Sequence, residues 1–262
     1  MKRNLIPAID AHGHYGRFPH ANALLESFSS ASGEEVAARA AQSGVSWSIV
    51  SPLAGLMPRG RETLVAPAND AAFDEVPRTK GLYDQARKML QAPWCVGIKI
   101  HPEEHAYPIS DHGDELFKFF TEVRAPVMTH SGCPNSLPAA FVPFADKYPE
   151  VRLLLAHLGN GAGDNGKVDL QVRAVQASRH GNIWVDTSSA RSILPGLVEW
   201  ALTELGDDRL LFGSDTPLYH VALQRARIET AQISDESKQR ILRDNAVKFF
   251  GLESLPDSGS FV

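Results

Sequence analysis

Two histidines separated by one residue, His12 and His14, stand near the start of the chain. Five further polar residues follow at nearly even intervals: His101, His130, His157, Asp186 and Asp215, spaced 29, 27, 29 and 29 residues apart. Imidazole nitrogens and carboxylate oxygens are good donors for zinc and similar divalent ions, and they are also proton carriers of enzymes. Alternate residues of a strand face one side, so a His-x-His pair at a strand end can offer both rings to one ion. Alone the pair is weak, because ten histidines in this chain make a chance pair easy to obtain, and surface histidines are the competing reading. Convergence with His130, His157 and Asp215 at one face makes a metal site the better reading.

That convergence needs a scaffold. Each of the five later residues ends a short apolar run: CVGIKIHP (95–102), APVMTHSG (125–132), VRLLLAHLG (151–159), NIWVDTSS (182–189) and RLLFGSDTP (209–217). Helix-like segments lie between them. Runs buried on both faces and alternating with helices mark a parallel β/α protein. In a (β/α)8 barrel the carboxyl ends of all strands meet at one face. The expected fold class is therefore α/β, a (β/α)8 TIM barrel in one domain spanning residues 1–262.

The reading of elements starts with a strand over 5–10, a helix over 34–43 that Gly44 can end, and a second strand over 45–51. Later helices are expected at 114–123, 138–147, 170–180, 195–205 and 221–231. The stretch 53–94 fits least well. Its only candidate strand is a stub near 79–83, so the barrel is abbreviated or irregular at its third strand. A last helix fits 234–252, with Ser234 as cap and Gly251 as stop. Leu242, Ala246, Phe249 and Phe250 form an apolar stripe on it, expected to pack on the barrel's outer wall.

Composition narrows the partners. The net charge of −5 and pI near 6.1 offer no basic field for a phosphate backbone, so a small organic substrate is expected and nucleic acid is not. Hydrophobic residues at 43% and charged residues at 22% are enough for a continuous core. The two cysteines, Cys95 and Cys133, suggest no disulfide framework. With no apolar run of membrane-spanning length and no convincing signal peptide, a cytoplasmic location is the expectation. A homo-oligomer is compatible with all of this.

Taken in order, D-A-H-G-H at strand one, G-I-K-I-H-P at 97–102, T-H-S-G at 129–132, A-H-L-G at 156–159 and F-G-S-D-T-P at 212–217 resemble the amidohydrolase superfamily. More narrowly, the chain is similar to the barrel subgroup that contains the aminocarboxymuconate-semialdehyde decarboxylase relatives. The resemblance implies one divalent ion, zinc or else manganese, held by His12, His14, His130 and Asp215. It also implies catalytic roles for His157, which would orient substrate or stabilise an oxyanion, and for Asp215, which would carry a proton. Lys99, His101, His105 and Tyr107 are the candidate substrate contacts, with a solvated loop as the alternative for the last two.

Lys99 is carbamylated between two metals in some members; the expectation here is an unmodified lysine beside one ion. Asp10 reads as a strand-end hydrogen-bond acceptor or a partner of a ligand, Asp186 as a partner of a ligand, and Cys133 as an ordinary cysteine. The first functional reading is metal-assisted hydrolysis of an amide, ester or lactone. The alternative is non-oxidative decarboxylation of an unsaturated or aromatic carboxylate, and a binding barrel without activity is the third. Short second and third units and the lack of an arginine cluster favour hydrolysis over decarboxylation at this point.

Overall fold

The computed structural model describes residues 5–18, 22–56, 82–189 and 193–253. The chain runs β1 (Ala8–Tyr15), α1 (Ala23–Ser29), α2 (Gly33–Gln42), β2 (Val45–Pro52), α3 (Leu53–Leu56), α4 (Leu82–Met89), β3 (Ile98–Ile100), α5 (Ile109–Val123) and β4 (Val127–Thr129). It continues through α6 (Pro138–Lys147), β5 (Leu153–Leu155), α7 (Leu170–Ala177), β6 (Ile183–Asp186), α8 (Leu197–Leu205), β7 (Leu210–Leu211) and α9 (Val221–Glu229). It ends with α10 (Asp235–Gln239), a π-helical turn (Arg240–Asp244) and α11 (Asn245–Phe250).

Strands β3 to β7 pair in parallel in chain order, and β1 pairs in parallel with β2. Backbone bonds join the two sets: Ala11 N donates to Phe212 O at 2.9 Å, Asp215 N to His12 O at 2.7 Å and His14 N to Thr216 O at 2.6 Å. The wall therefore runs continuously from β2 through β1 and β7 to β3. Its open side, between β2 and β3, is where a barrel places its third strand. Residues 57–81 of that interval lie outside the described residues, as does most of the expected stub near 79–83; from Leu82 the chain is helical. The result is an abbreviated (β/α)8 barrel.

Strand β1 is longer at its carboxyl end than the sequence suggests. Residues 11–15 stay extended because they bond to β2 on one side and to the segment after β7 on the other. A register shift between Asp10 and Gly13 marks a bulge, a device that re-aims side chains.

In-register partners share a face, so Lys99, Met128, Leu154 and Trp184 form one row. Lys99 reaches the ring of His12, which places the row inside the barrel. The opposite face, with Val127, Leu153, Leu155, Ile183 and Val185, packs into the main core beside Phe117, Phe120 and Phe141 of the helices. Burying each such side chain stabilises the fold by about 1.5–3 kcal/mol.

The carboxyl-terminal helix corrects one expectation. Ser234 caps it through Ser237 N at 3.0 Å, and Gly251 ends it at a left-handed φ of 71°. Its residues Ala246, Phe249 and Phe250, however, pack with Ile9, Ala11, Met128, Leu154 and Leu211. Met128 and Leu154 belong to the inward row, so the helix forms a floor to the barrel and does not lie on its outer wall; Leu242 alone of the stripe joins the outer core. The side chain of Asn245 anchors it by donating to Leu210 O at 2.8 Å and Asp207 O at 2.6 Å, at the amino end of β7. No helix among the described residues is long and apolar enough to cross a membrane.

Candidate metal centre

His12 and His14 turn inward at the carboxyl end of β1, and their Nε2 atoms face each other at 3.2 Å. Asp215, beyond β7, brings Oδ1 to 2.9 Å from His14 Nε2 and 3.6 Å from His12 Nε2. All three residues are buried. Two donors on one ion at bond lengths near 2.0–2.2 Å lie roughly 2.9–3.6 Å apart for octahedral to tetrahedral angles. The trio has that spacing, and its nitrogen and carboxylate chemistry fits a divalent ion.

The backbone is strained where it presents these groups. Asp215 has φ 59° and His157 φ 75°, left-handed values that cost a non-glycine residue about 1–3 kcal/mol. Surrounding bonds hold both in place: Asp215 N donates to His12 O, and His157 N donates to Asp186 Oδ1 at 3.0 Å. Gly213 sits between His12 and Ser188, where a Cβ would lie 3.0 Å from the Cβ atoms of both. Any larger residue there would push the two apart.

Buried carboxylates support the trio without joining it. Asp10 accepts from His12 N at 3.1 Å, Ser214 N at 2.9 Å and Ser214 Oγ at 2.5 Å, stitching β1 to the segment after β7. Burial pushes its carboxyl up to about 7 against the pull of those bonds. Asp186 accepts from His12 Nδ1 at 2.9 Å, which leaves Nε2 of that ring as a lone pair for a metal. His14 Nδ1 stands 3.0 Å from Ser51 Oγ at the end of β2. A second donor group, His12, His157 and Asp186, shares His12 with the first and is bridged by Ser188.

Ser51 and Ser188 escaped the sequence reading, because no motif marks either. Their one signal is position, at the ends of β2 and β6.

Charge is tuned by burial. It holds His12 well below the ordinary imidazole range, with Lys99 adding to the effect, and it does the same for His157, with His130 adding. Neutral imidazole is the form that ligates metals. Lys99 Nζ lies 2.9 Å from His12 Nε2, and burial draws its ammonium down to about 8. For Asp215 burial alone would raise the carboxyl. The His14 hydrogen bond, with the electrostatic pull of the neighbouring histidines and Lys99, outweighs it and holds the group below the ordinary carboxylate value.

The other candidate residues are placed unevenly. His130 stands beside the trio: its Nε2 faces Cys133 Sγ at 3.2 Å, its ring stacks on His101 at 4.2 Å, and it meets the His157 ring at 4.7 Å. Burial draws it down to about 4. His101 Nδ1 accepts from Glu104 N at 3.2 Å. His105 Nε2 bonds to Gly55 O at 3.0 Å, tying the loop after β3 to the segment after β2. Tyr107 packs against the outer core, its ring 5.5 Å from that of His112. Of the four candidate substrate contacts, Lys99 reaches the donors directly and His101 reaches them through His130. Cys133 is half-buried, and burial pushes its thiol up, away from the reactive thiolate.

Solved structures share this architecture over nearly the whole chain. A dihydroxybenzoic acid decarboxylase from a Polaromonas species, with bound manganese and the inhibitor 2-nitroresorcinol, is 16% identical, with 98% of this chain and 100% of that chain covered at a TM-score of 0.68. A 2,6-dihydroxybenzoate decarboxylase complexed with 2,6-dihydroxybenzoate is 14% identical, covering 95% and 100% at 0.68. A TIM-barrel protein from Bordetella bronchiseptica is 16% identical, covering 93% and 98% at 0.63. At such identities the likeness establishes the barrel fold. Residues 9–252 match the family model described as amidohydrolase, and the chain, as its ordered motifs led one to expect, belongs to the amidohydrolase family.

Proposed function

We propose that this protein is a metal-dependent, non-oxidative decarboxylase of small aromatic or unsaturated carboxylates. The observation that carries the reading is Lys99, a half-buried amine 2.9 Å from His12 Nε2 at the edge of the donor cluster. Hydrolysis ranked first on sequence partly because no arginine cluster announced a carboxylate pocket, and Lys99 supplies that positive charge. The relatives with dihydroxybenzoate decarboxylase activity support the same reading.

We assign His12, His14 and Asp215 as ligands, with His130 as the fourth and zinc or manganese as the ion. When bound, the ion supplies electrostatic stabilisation to the oxygens of the substrate. Lys99, unmodified, pairs with the carboxylate that leaves, and His101 lines the same side. Asp215 faces the histidines through Oδ1, which leaves Oδ2 to take a proton from a substrate hydroxyl and return it to the carbon losing carbon dioxide. The bond from that carbon to the carboxyl carbon breaks, its electron pair stays on the carbon, and the returned proton fills the vacated position. His105 and Tyr107, one tied to Gly55 O and the other packed on the outer core, take no part in this assignment. Hydrolysis is the second reading, favoured by the ionised Asp215, a ready base for water.

Turnover of hydroxybenzoates, unsaturated acids, lactones and amides by zinc- and manganese-loaded protein separates the two readings. Run in deuterium oxide, decarboxylation gives carbon dioxide and one deuterium at the vacated carbon. Heavy oxygen from labelled water in a newly formed acid, without carbon dioxide, would overturn the proposal.

A further inference from the structure

The hydroxyl of Ser188, two residues past the end of β6, serves three buried partners. Its Oγ contacts Asp186 Oδ1, lies 2.8 Å from His12 Nδ1 and lies 2.9 Å from His157 Nδ1. All four residues are buried. A hydroxyl has one hydrogen to give and two lone pairs to receive, whereas an ionised carboxylate only receives. Asp186 Oδ1 already accepts from the backbone nitrogens of His157 at 3.0 Å and Ser188 at 2.9 Å. The close contact between the two side-chain oxygens is therefore a bond only if Ser188 gives its single hydrogen to Asp186.

Nothing then remains for Ser188 to donate to either imidazole. Nδ1 of both rings must carry the hydrogen: His12 gives it to Asp186 Oδ2 at 2.9 Å and to Ser188, and His157 gives it to Ser188. The reverse arrangement, with Ser188 donating to His157, would set oxygen lone pairs of Ser188 and Asp186 against each other in a dry site. Among the described residues Ser188 is the one hydrogen-bond partner of His157 Nδ1, so it decides the state of this ring.

We propose that Ser188 is a positioning residue that fixes His157 with its hydrogen on Nδ1, so that Nε2 meets the substrate as a hydrogen-bond acceptor. Of the two expected roles for His157, orienting substrate fits this state, whereas stabilising a developing oxyanion would need a hydrogen on Nε2. The group facing this ring is then a donor, such as a substrate hydroxyl or a water. That last step rests on the decarboxylase reading, whereas the ring's protonation pattern belongs to the protein alone.

The test is nitrogen-15 NMR of histidine-labelled protein, as purified and after zinc addition, with His157→Gln used to assign the signals. The expected pattern for His157 is a protonated Nδ1 and an unprotonated Nε2. Ser188→Ala should move the hydrogen to Nε2 or give a mixture, and Ser188→Thr, which keeps the hydroxyl, should restore the first pattern. With a turned-over acid in hand, Ser188→Ala should lose about 10–100-fold in kcat with KM little changed and metal content retained, since His12 keeps Asp186. A hydrogen on Nε2 in the unaltered protein, or an unchanged pattern in Ser188→Ala, would overturn the inference. If Ser188→Ala does not fold, the pattern in the unaltered protein still decides. Failure of every acid to turn over would remove the decarboxylase reading and leave the spectroscopic result standing.

Discussion

The inward row of the barrel changes character from one end to the other. At the floor, Met128, Leu154 and Leu211 meet Ala246, Phe249 and Phe250 of the last helix, an apolar contact in relaxed helical backbone. At the mouth, the same wall ends in His12, His14, His157, Asp186, Ser188 and Asp215, buried polar groups with two residues held at positive φ. A buried polar group without a partner costs about 1–3 kcal/mol, and none of these six lacks one. What the mouth gives up in stability lies in the strained backbone of Asp215 and His157, and the floor is a place where it is recovered.

That division can be broken from either end. The largest effect is expected from Asp215→Asn, which removes the proposed proton carrier and weakens one proposed metal ligand: kcat should fall by about 10²–10⁴-fold, more than metal occupancy does. The melting temperature of the metal-free protein should fall modestly, because the fold holds this carboxyl below its ordinary value and so draws stability from its charge at neutral pH. A variant that lost activity only because it unfolded would show that mouth and floor are one cooperative structure. The complementary change is Phe249→Ala. Removing this almost fully buried ring should cost about 3–5 kcal/mol, read by denaturant unfolding, with activity per folded molecule unchanged. A fall in turnover at full folding and full metal content would mean that the floor shapes the mouth.

The mouth was more legible in sequence than the floor. His101, His130, His157, Asp186 and Asp215 each end a short apolar run that alternates with helical segments, so topology carries them to one end of the barrel, and His157, Asp186 and Asp215 join the donor groups there. His12 and His14 are a visible pair, but the backbone that carries them is not: β1 reaches Tyr15 because it bonds on two sides, and such pairing leaves no local trace. The last helix shows why a stripe of apolar residues cannot by itself name its partner. Leu242, Ala246, Phe249 and Phe250 read as one face, yet Leu242 meets the outer core and the others the barrel interior, because the helix crosses the base of the wall. Asp186 was visible as a partner of a ligand. Ser188 was not, since a serine after an apolar run has no chemistry until its neighbours are known.

Within the mouth, the two histidines of β1 differ in what stands behind them. His12 Nδ1 is backed by Asp186, a buried carboxylate, and His14 Nδ1 by Ser51, a neutral hydroxyl at the partly exposed end of β2. Charge-assisted bonds are roughly twice as strong as neutral ones. Asp186→Asn replaces the acceptor of His12 with an amide that also loses the charge, and should weaken metal binding by about 10–100-fold in a competitive chelator titration.

Ser51→Ala should do least. For His14 to offer Nε2 to an ion, its hydrogen must sit on Nδ1, where Ser51 Oγ at 3.0 Å receives it. Removing that oxygen loses one neutral hydrogen bond, about 0.5–1.5 kcal/mol, which is roughly a 2- to 12-fold change in affinity. Because the site is only partly buried, water can enter the space and accept the same hydrogen, which moves the expected loss to the lower end of that range. The ring also keeps its edge-on packing against the His12 ring, 5.0 Å away. The same chelator titration therefore ranks the variants, with Asp186→Asn well below Ser51→Ala. Equal losses would show that the charge and burial of the supporting partner do not set how firmly each histidine of β1 holds the ion.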